Sequence, residues 1–233
     1  MIRTEAKVVE IGLSNNWDDV RNLTVNRLKE AFQKHPSYFF TEHDVHSVLY
    51  NIAGEELQLH GIMTEITSDG HQVMLVHHEY PTPFRCDMKK YGFQLKDEKP
   101  YKRGHYDLVV LNPKFVRSHE LDVVYGKDYK KFKSAMQNVE VEPLIWACEV
   151  IFFPGVKKLP ENALKITKQD ALKVKETLSY KVGRDIPFCK MGSVHVFASH
   201  TAEDTLDLKE KTTRLGQKLE LEVTLTRALP KEN

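Results

Sequence analysis

Two carboxylates in this chain lie in surroundings that contact with water does not explain. Asp107 opens the apolar run of RGHYDLVVL, and Glu149 interrupts LIWACEVIFF. A carboxylate among so many apolar neighbours must be paired, hydrogen-bonded, metal-bound or placed where a strand end opens into a cleft. If the two segments are neighbouring strands, both acids can face one side and share a divalent ion. Oxygen ligands of this kind suit Mg²⁺ or Mn²⁺, and such an ion orients water and stabilises charge on a phosphate. The competing reading pairs each acid with a nearby Lys, Arg or His. Glu79, at the end of VMLVHHE and just before Pro81 and Pro83, is a third candidate for the same cleft. His105 precedes Asp107 by two residues, as His77 precedes Glu79, and residues two apart share a strand face. The spacing therefore also allows a histidine-containing Zn²⁺ or Mn²⁺ site.

Charge is unevenly distributed. The formal net charge is +1, yet residues 1–84 hold 6 Lys/Arg against 12 Asp/Glu, and residues 85–133 hold 13 against 7. Within that basic middle, RCDMKKYGFQLKDEKPYKR interleaves Tyr91, Phe93 and Tyr101 with Lys89, Lys90, Lys102 and Arg103. Rings can stack on bases while cations meet phosphates. GKDYKKFK at 126–133 adds Lys130 and Lys131 as a second basic cluster. No helix-turn-helix, zinc-finger or RNA-recognition signature accompanies them, so the expected contact with DNA or RNA is electrostatic. A solvated lysine-rich surface fits the same pattern.

Periodicity supplies the elements that would hold these residues. Apolar spacing predicts helices over 17–34, 42–52, 127–137, 167–179 and 203–214, with Thr41 capping the second and Asp44 three residues on. Strands are expected over 73–79, 106–111, 144–153, 193–199 and 218–226. The 144–153 run is apolar on both faces, which marks a central strand covered by helices on each side. The last strand alternates Leu219, Leu221, Val223 and Leu225 with polar residues, as a half-buried edge strand does.

With 233 residues, 41% apolar and 29% charged, the chain can bury a sizeable core. The expected partition is one α/β domain over 1–233, with an N-terminal helical addition of about 40 residues. No run approaches a membrane span of ~20 apolar residues, and the N-terminus lacks the apolar centre of a signal peptide. Cys86, Cys148 and Cys189 have no metal-finger spacing. A cytoplasmic location and no membrane partner are expected. Oligomeric state is not derivable, and a homo-oligomer stays open.

The order helix, strand, Asp-bearing strand, Glu-bearing strand, helix, strand resembles the core of the PD-(D/E)XK nuclease superfamily. HHEYP, RGHYDLVVLNP and ACEVIFF carry the likeness, which covers roughly residues 41–200. The resemblance implies a restriction-endonuclease-like core, a mixed central β-sheet flanked by helices. It also implies metal-dependent hydrolysis of phosphodiesters in DNA or RNA. Asp107 and Glu149 then match the metal-binding acids, and Glu42 or Glu55 a further acid on the first helix of the core. The superfamily's lysine would fall at 151, where this chain has Ile151. Lys173, Lys175 and Lys190 are the candidates to supply it from another element. The alternative is a protein that keeps the fold without catalysis and binds nucleic acid or another protein.

Overall fold

A computed structural model describes residues 17–88, 93–96, 101–155, 159–200 and 202–229. Helix α1 (Trp17–Lys34) leads through a 3-10 turn at Pro36–Tyr38 to helix α2 (Glu42–Leu59). The hairpin β1 (Thr64–Ile66) and β2 (Gln72–Met74) follows, then β3 (Val76–His77), β4 (Tyr80–Asp87), β5 (Gln94–Leu95), β6 (Lys102–Tyr106) and β7 (Leu108–Leu111). Three short helices, α3 (Pro113–Ser118), α4 (Leu121–Val124) and α5 (Tyr129–Ala135), connect to β8 (Leu144–Phe153). Helix α6 (Ala163–Ser179), the small hairpin β9 (Lys181–Val182) and β10 (Ile186–Pro187), β11 (Cys189–Ala198), α7 (Ala202–Leu219) and β12 (Glu222–Arg227) complete the described chain.

The centre is a five-stranded mixed sheet in the order β12-β11-β8-β7-β3. β8, β11 and β12 are mutually parallel, whereas β7 runs antiparallel to β8 and β3 antiparallel to β7. Parallel neighbours need long crossovers, and α6 and α7 provide them. Every residue of β8 is buried, because helices cover both faces. Val150 and Phe152 join the core beneath α1 and α2, and Ile151 and Phe153 join the one beneath α6 and α7. α1 belongs to this core: its Phe32 ring meets Phe152 and Phe197 of the sheet, with centroids 6.1 and 5.1 Å away. Gly192 lets α6 lie close, since a Cβ there would stand 2.4 Å from Val174 Cγ1.

The expected 73–79, 106–111, 144–153 and 193–199 segments all contribute to this one sheet, but two of them are broken. The chain turns at His78–Glu79, where Glu79 adopts φ 50, and β4 then runs through both Pro81 and Pro83. Prolines donate no ladder bond. They are tolerated here because the pairing with β6 shifts register between Pro81 and Arg85 and β5 reaches only Cys86 and Asp87. The expected 106–111 strand divides at Asp107 into β6 and β7. Helix α2 starts on the expected Thr41–Asp44 capping box and runs past residue 52 because Ala53 and Leu57 continue its buried stripe. Thr167 lies inside α6, bonding back to the Ala163 carbonyl. Residues 218 and 219 end α7, so β12 begins only at Glu222 and forms an edge of the sheet.

Candidate active site

The break at Asp107 organises the site. β6 pairs with β4 in a three-stranded sheet ordered β5-β4-β6, and β7 pairs with β8 in the central one. Leu108 stands opposite Cys148, so β8 extends beyond the start of its antiparallel neighbour. Buried amides left without a ladder need other acceptors. Val150 N donates to Asp107 Oδ2 at 2.7 Å, and Phe152 N donates to Glu42 Oε2 at 3.2 Å. Alternate amides of a strand point to the same edge, so the two carboxylates are fixed side by side along one edge of β8. The kink is braced from the opposite strand, where His78 Nδ1 lies 3.1 Å from the Asp107 carbonyl.

Glu149 shares its face of β8 with Ile151, towards α6. Its Oε1 lies 2.7 Å from Lys173 Nζ, and both side chains are almost fully buried. Lys173 Nζ also donates to the His105 carbonyl at 2.8 Å and stands 3.7 Å from Asp170 Oδ1. An ammonium thus reaches the Glu-bearing strand from α6, while Ile151 is enclosed among Val174, Val194 and their neighbours. From α2, His46 Nε2 approaches Asp107 Oδ2 to 3.5 Å; among the described residues this buried nitrogen has no hydrogen-bond partner.

Acids outnumber fixed cations in this cluster: Glu42, Asp107, Glu149 and Asp170 surround Lys173. Burial pushes Glu149 well above the ordinary carboxylate range; Lys173 pulls it back, and Asp107 and Asp170 raise it again. Burial likewise raises Asp170, to about 6, against the pull of Lys173 and with a push from Asp107 and Glu42. Glu42 moves up through burial and the charge of Asp107, offset in part by its bond from Phe152. Burial opposes the charge on Lys173, but Glu149 and Asp170 outweigh it and hold the ammonium protonated. Excess negative charge of this kind is relieved by a proton or by a cation.

Among the described residues no group of three His, Cys, Asp or Glu side chains forms a ready metal cage. Mg²⁺ and Mn²⁺ do not require one, since Mg²⁺ commonly binds through one or two carboxylates and keeps several waters. The described contacts of Asp107 and Glu149 run through Oδ2 and Oε1, so the second oxygen of each carries the lone pairs for such an ion. The donor chemistry therefore fits a hard, water-retaining cation better than Zn²⁺.

The remaining candidates lie elsewhere. Glu79 lines a cavity whose walls include neither Asp107 nor Glu149. Lys175, two residues along α6 from Lys173, is drawn to Glu220 at 3.6 Å. Lys190 is an exposed residue near the start of β11. Glu55 meets Arg27 at 2.6 Å in the α1–α2 contact. The Arg103 guanidinium, expected to contact nucleic acid, is spent on the carbonyls of Thr82, Gly126 and Pro81 and lies over the Phe132 ring. Lys102 and Lys130 are exposed, Lys131 pairs with Asp122 at 3.1 Å, and Lys89 and Lys90 lie outside the described residues. Asp170 and His46 escaped the sequence reading. Asp170, Lys173 and Thr177 form a polar stripe beside the apolar stripe of Ala171, Val174 and Leu178, and this was the signal available.

No helix among the described residues is long and apolar enough to cross a membrane. Compared with protein-family models, curated proteins and solved structures, the chain gives no match in any of the three.

Proposed function

We propose that this chain is a metal-dependent nuclease with a restriction-endonuclease-like core, hydrolysing phosphodiester bonds of DNA or RNA. The observation that carries this reading is the buried Lys173 ammonium 2.7 Å from Glu149, on the strand whose neighbouring amide is held by Asp107. In this reading Asp107 and Glu149 hold Mg²⁺ or Mn²⁺, with Glu42 close enough to add to the negative field. A bound ion of this type polarises the phosphate and lowers the pKa of a ligated water.

The chain's own residues do the rest. Lys173, kept protonated by its carboxylate neighbours, offsets the charge that builds on the phosphate oxygens as water attacks phosphorus. It takes over what a lysine at 151 would supply. Asp170, with a pKa of about 6, is poised near neutrality to take the proton of the attacking water. His46 positions the Asp107 carboxylate from the far side.

A second reading is favoured by one feature of the same geometry. Asp107 and Glu42 satisfy strand amides and Glu149 has a lysine, so the cluster can be wholly structural in a protein that only binds nucleic acid or another protein. Cleavage separates the two. Labelled single-stranded and duplex DNA and RNA would be incubated with the chain in Mg²⁺, Mn²⁺ or EDTA. Nuclease function predicts metal-dependent scission, reduced on the order of 100-fold or more in Asp107→Asn, Glu149→Gln and Lys173→Met. Intact substrates with either metal would leave the binding role.

A further inference from the structure

A cavity of about 610 Å³ opens between the β3–β4 and β6 strands and the segment leading into α5. Its size is in the range of small-ligand sites. Arg85, Lys102, Arg103 and Lys127 line it against a single carboxylate, Glu79. Arg103 is spent on backbone carbonyls, but Lys102 and Lys127 are exposed and Arg85 half-buried. The surplus charge calls for an anion.

Two further features say more about that anion. The walls carry the rings of Tyr125 and Tyr129, and His77 stands edge-on to Tyr125 at 5.5 Å. Aromatic walls beside cations suit a flat, conjugated group bearing a phosphate. His77 is pushed towards its neutral form by burial, while a bond to the Met74 backbone works the other way. That bond is donated by the ring, so Nε2 carries the lone pair, and among the described residues this buried atom has no partner. An unsatisfied acceptor in an otherwise cationic cavity selects a ligand that also donates, through a hydroxyl or an exocyclic amine. A closed volume of this size takes one such unit rather than a run of duplex.

We infer that this cavity binds a single nucleoside monophosphate unit, its phosphate held by Lys102, Lys127 and Arg85 and its base and sugar against the tyrosines and His77. The unit is either a free mononucleotide or the phosphorylated end of a strand. This assignment stands apart from nuclease activity, although the two sites are neighbours: His78, in the cavity wall, bonds the Asp107 carbonyl, and His105, also in the wall, accepts from Lys173.

Titration calorimetry in EDTA tests it without turnover. The ligands are the four nucleoside 5′-monophosphates, the matching nucleosides, inorganic phosphate and a 5′-phosphorylated tetranucleotide. At least one monophosphate should bind about tenfold or more tighter than its nucleoside and than phosphate alone. Lys102→Glu with Lys127→Glu, both exposed, should lower that affinity about tenfold or more and leave the melting temperature unchanged. Asp107→Asn should bind as the wild type does, which separates this result from the fate of the nuclease reading. Tighter binding of the tetranucleotide than of the monophosphates places the unit at a strand end, and the reverse makes it a free nucleotide. Equal affinity for nucleoside and monophosphate, equal affinity for phosphate and monophosphate, absence of binding, or indifference to the charge reversal would each overturn the assignment.

Discussion

Replacing Lys173 with Met isolates the contact on which the site depends. Met keeps the length and most of the volume of the stem, so packing beneath Val174 changes little, while the ammonium disappears. Glu149 is then left as a buried carboxylate with its side chain 3% exposed and with Asp107 and Asp170 still raising its pKa. Removing one partner of a buried ion pair costs about 3–5 kcal/mol. Glu149 can escape part of that cost by taking a proton, and its upward-shifted pKa makes this easy near neutrality, so the lower end, about 3 kcal/mol, applies. At roughly 2–4 °C per kcal/mol for a domain of this length, the melting temperature at pH 7 should fall by about 6–12 °C. Glu149→Gln added to Lys173→Met should recover about half or more of the loss, because no buried charge is left unpaired. A group whose folded pKa lies above its unfolded value contributes stability that is full below the unfolded pKa and declines as pH rises. The Lys173→Met deficit should therefore be smaller at pH 5 than at pH 8. The assay is differential scanning calorimetry of wild type, single and double variants. A single-variant shift within about 2 °C, or a further drop on adding Gln, would refute the argument from a buried, coupled pair.

Asp170 titrates in the folded protein at about 6, above its unfolded range, so its protonated form favours folding and stability falls as pH rises towards that value. Asp170→Asn should flatten the slope of melting temperature against pH between 4 and 7, and an unchanged slope would remove Asp170 from the coupled cluster. Glu42→Ala deprives Phe152 N of its acceptor and should cost about 1–3 kcal/mol in urea melts. Glu42→Gln keeps an acceptor oxygen and should cost clearly less while still weakening a divalent cation; equal losses would mean that the contact with Phe152 contributes little. Arg103→Ala should destabilise the fold, since three carbonyls lose their donor, and a loss of nucleic-acid affinity with stability intact would return Arg103 to the binding surface.

Much of the central sheet was legible because β8 has an apolar pattern that only a strand covered on both faces satisfies. Asp107 and Glu149 stood out for the same reason: a charge within such a run demands a partner. The partners were harder to see. Lys173 sits one helical step from Val174, and in sequence it looks like the polar flank of any amphipathic helix; only the close approach permitted at Gly192 turns it inward. Glu42 and His46 are one turn apart on α2, but their convergence on Asp107 depends on how α2 crosses β8, which no local pattern encodes. The strand breaks at Glu79 and Asp107 were missed because prolines read as terminators. Here they occupy an irregular stretch of a strand that continues past the turn. The same misreading placed Arg103 at the surface, whereas the β4–β6 pairing carries it inward onto the Thr82 and Pro81 carbonyls.

The central claim is that Asp107 and Glu149 together take up a divalent cation beside Lys173. Titration of Mn²⁺ into the metal-free chain at pH 7.5, followed by calorimetry and by the loss of the free Mn²⁺ paramagnetic resonance signal, measures this directly. The account predicts saturable uptake by the wild type, weakened about tenfold or more in Asp107→Asn and again in Glu149→Gln, and weaker at pH 5.5 than at pH 7.5 because protons then compete for the same oxygens. Mn²⁺ binding of equal strength in all three proteins, or none in the wild type, would contradict it.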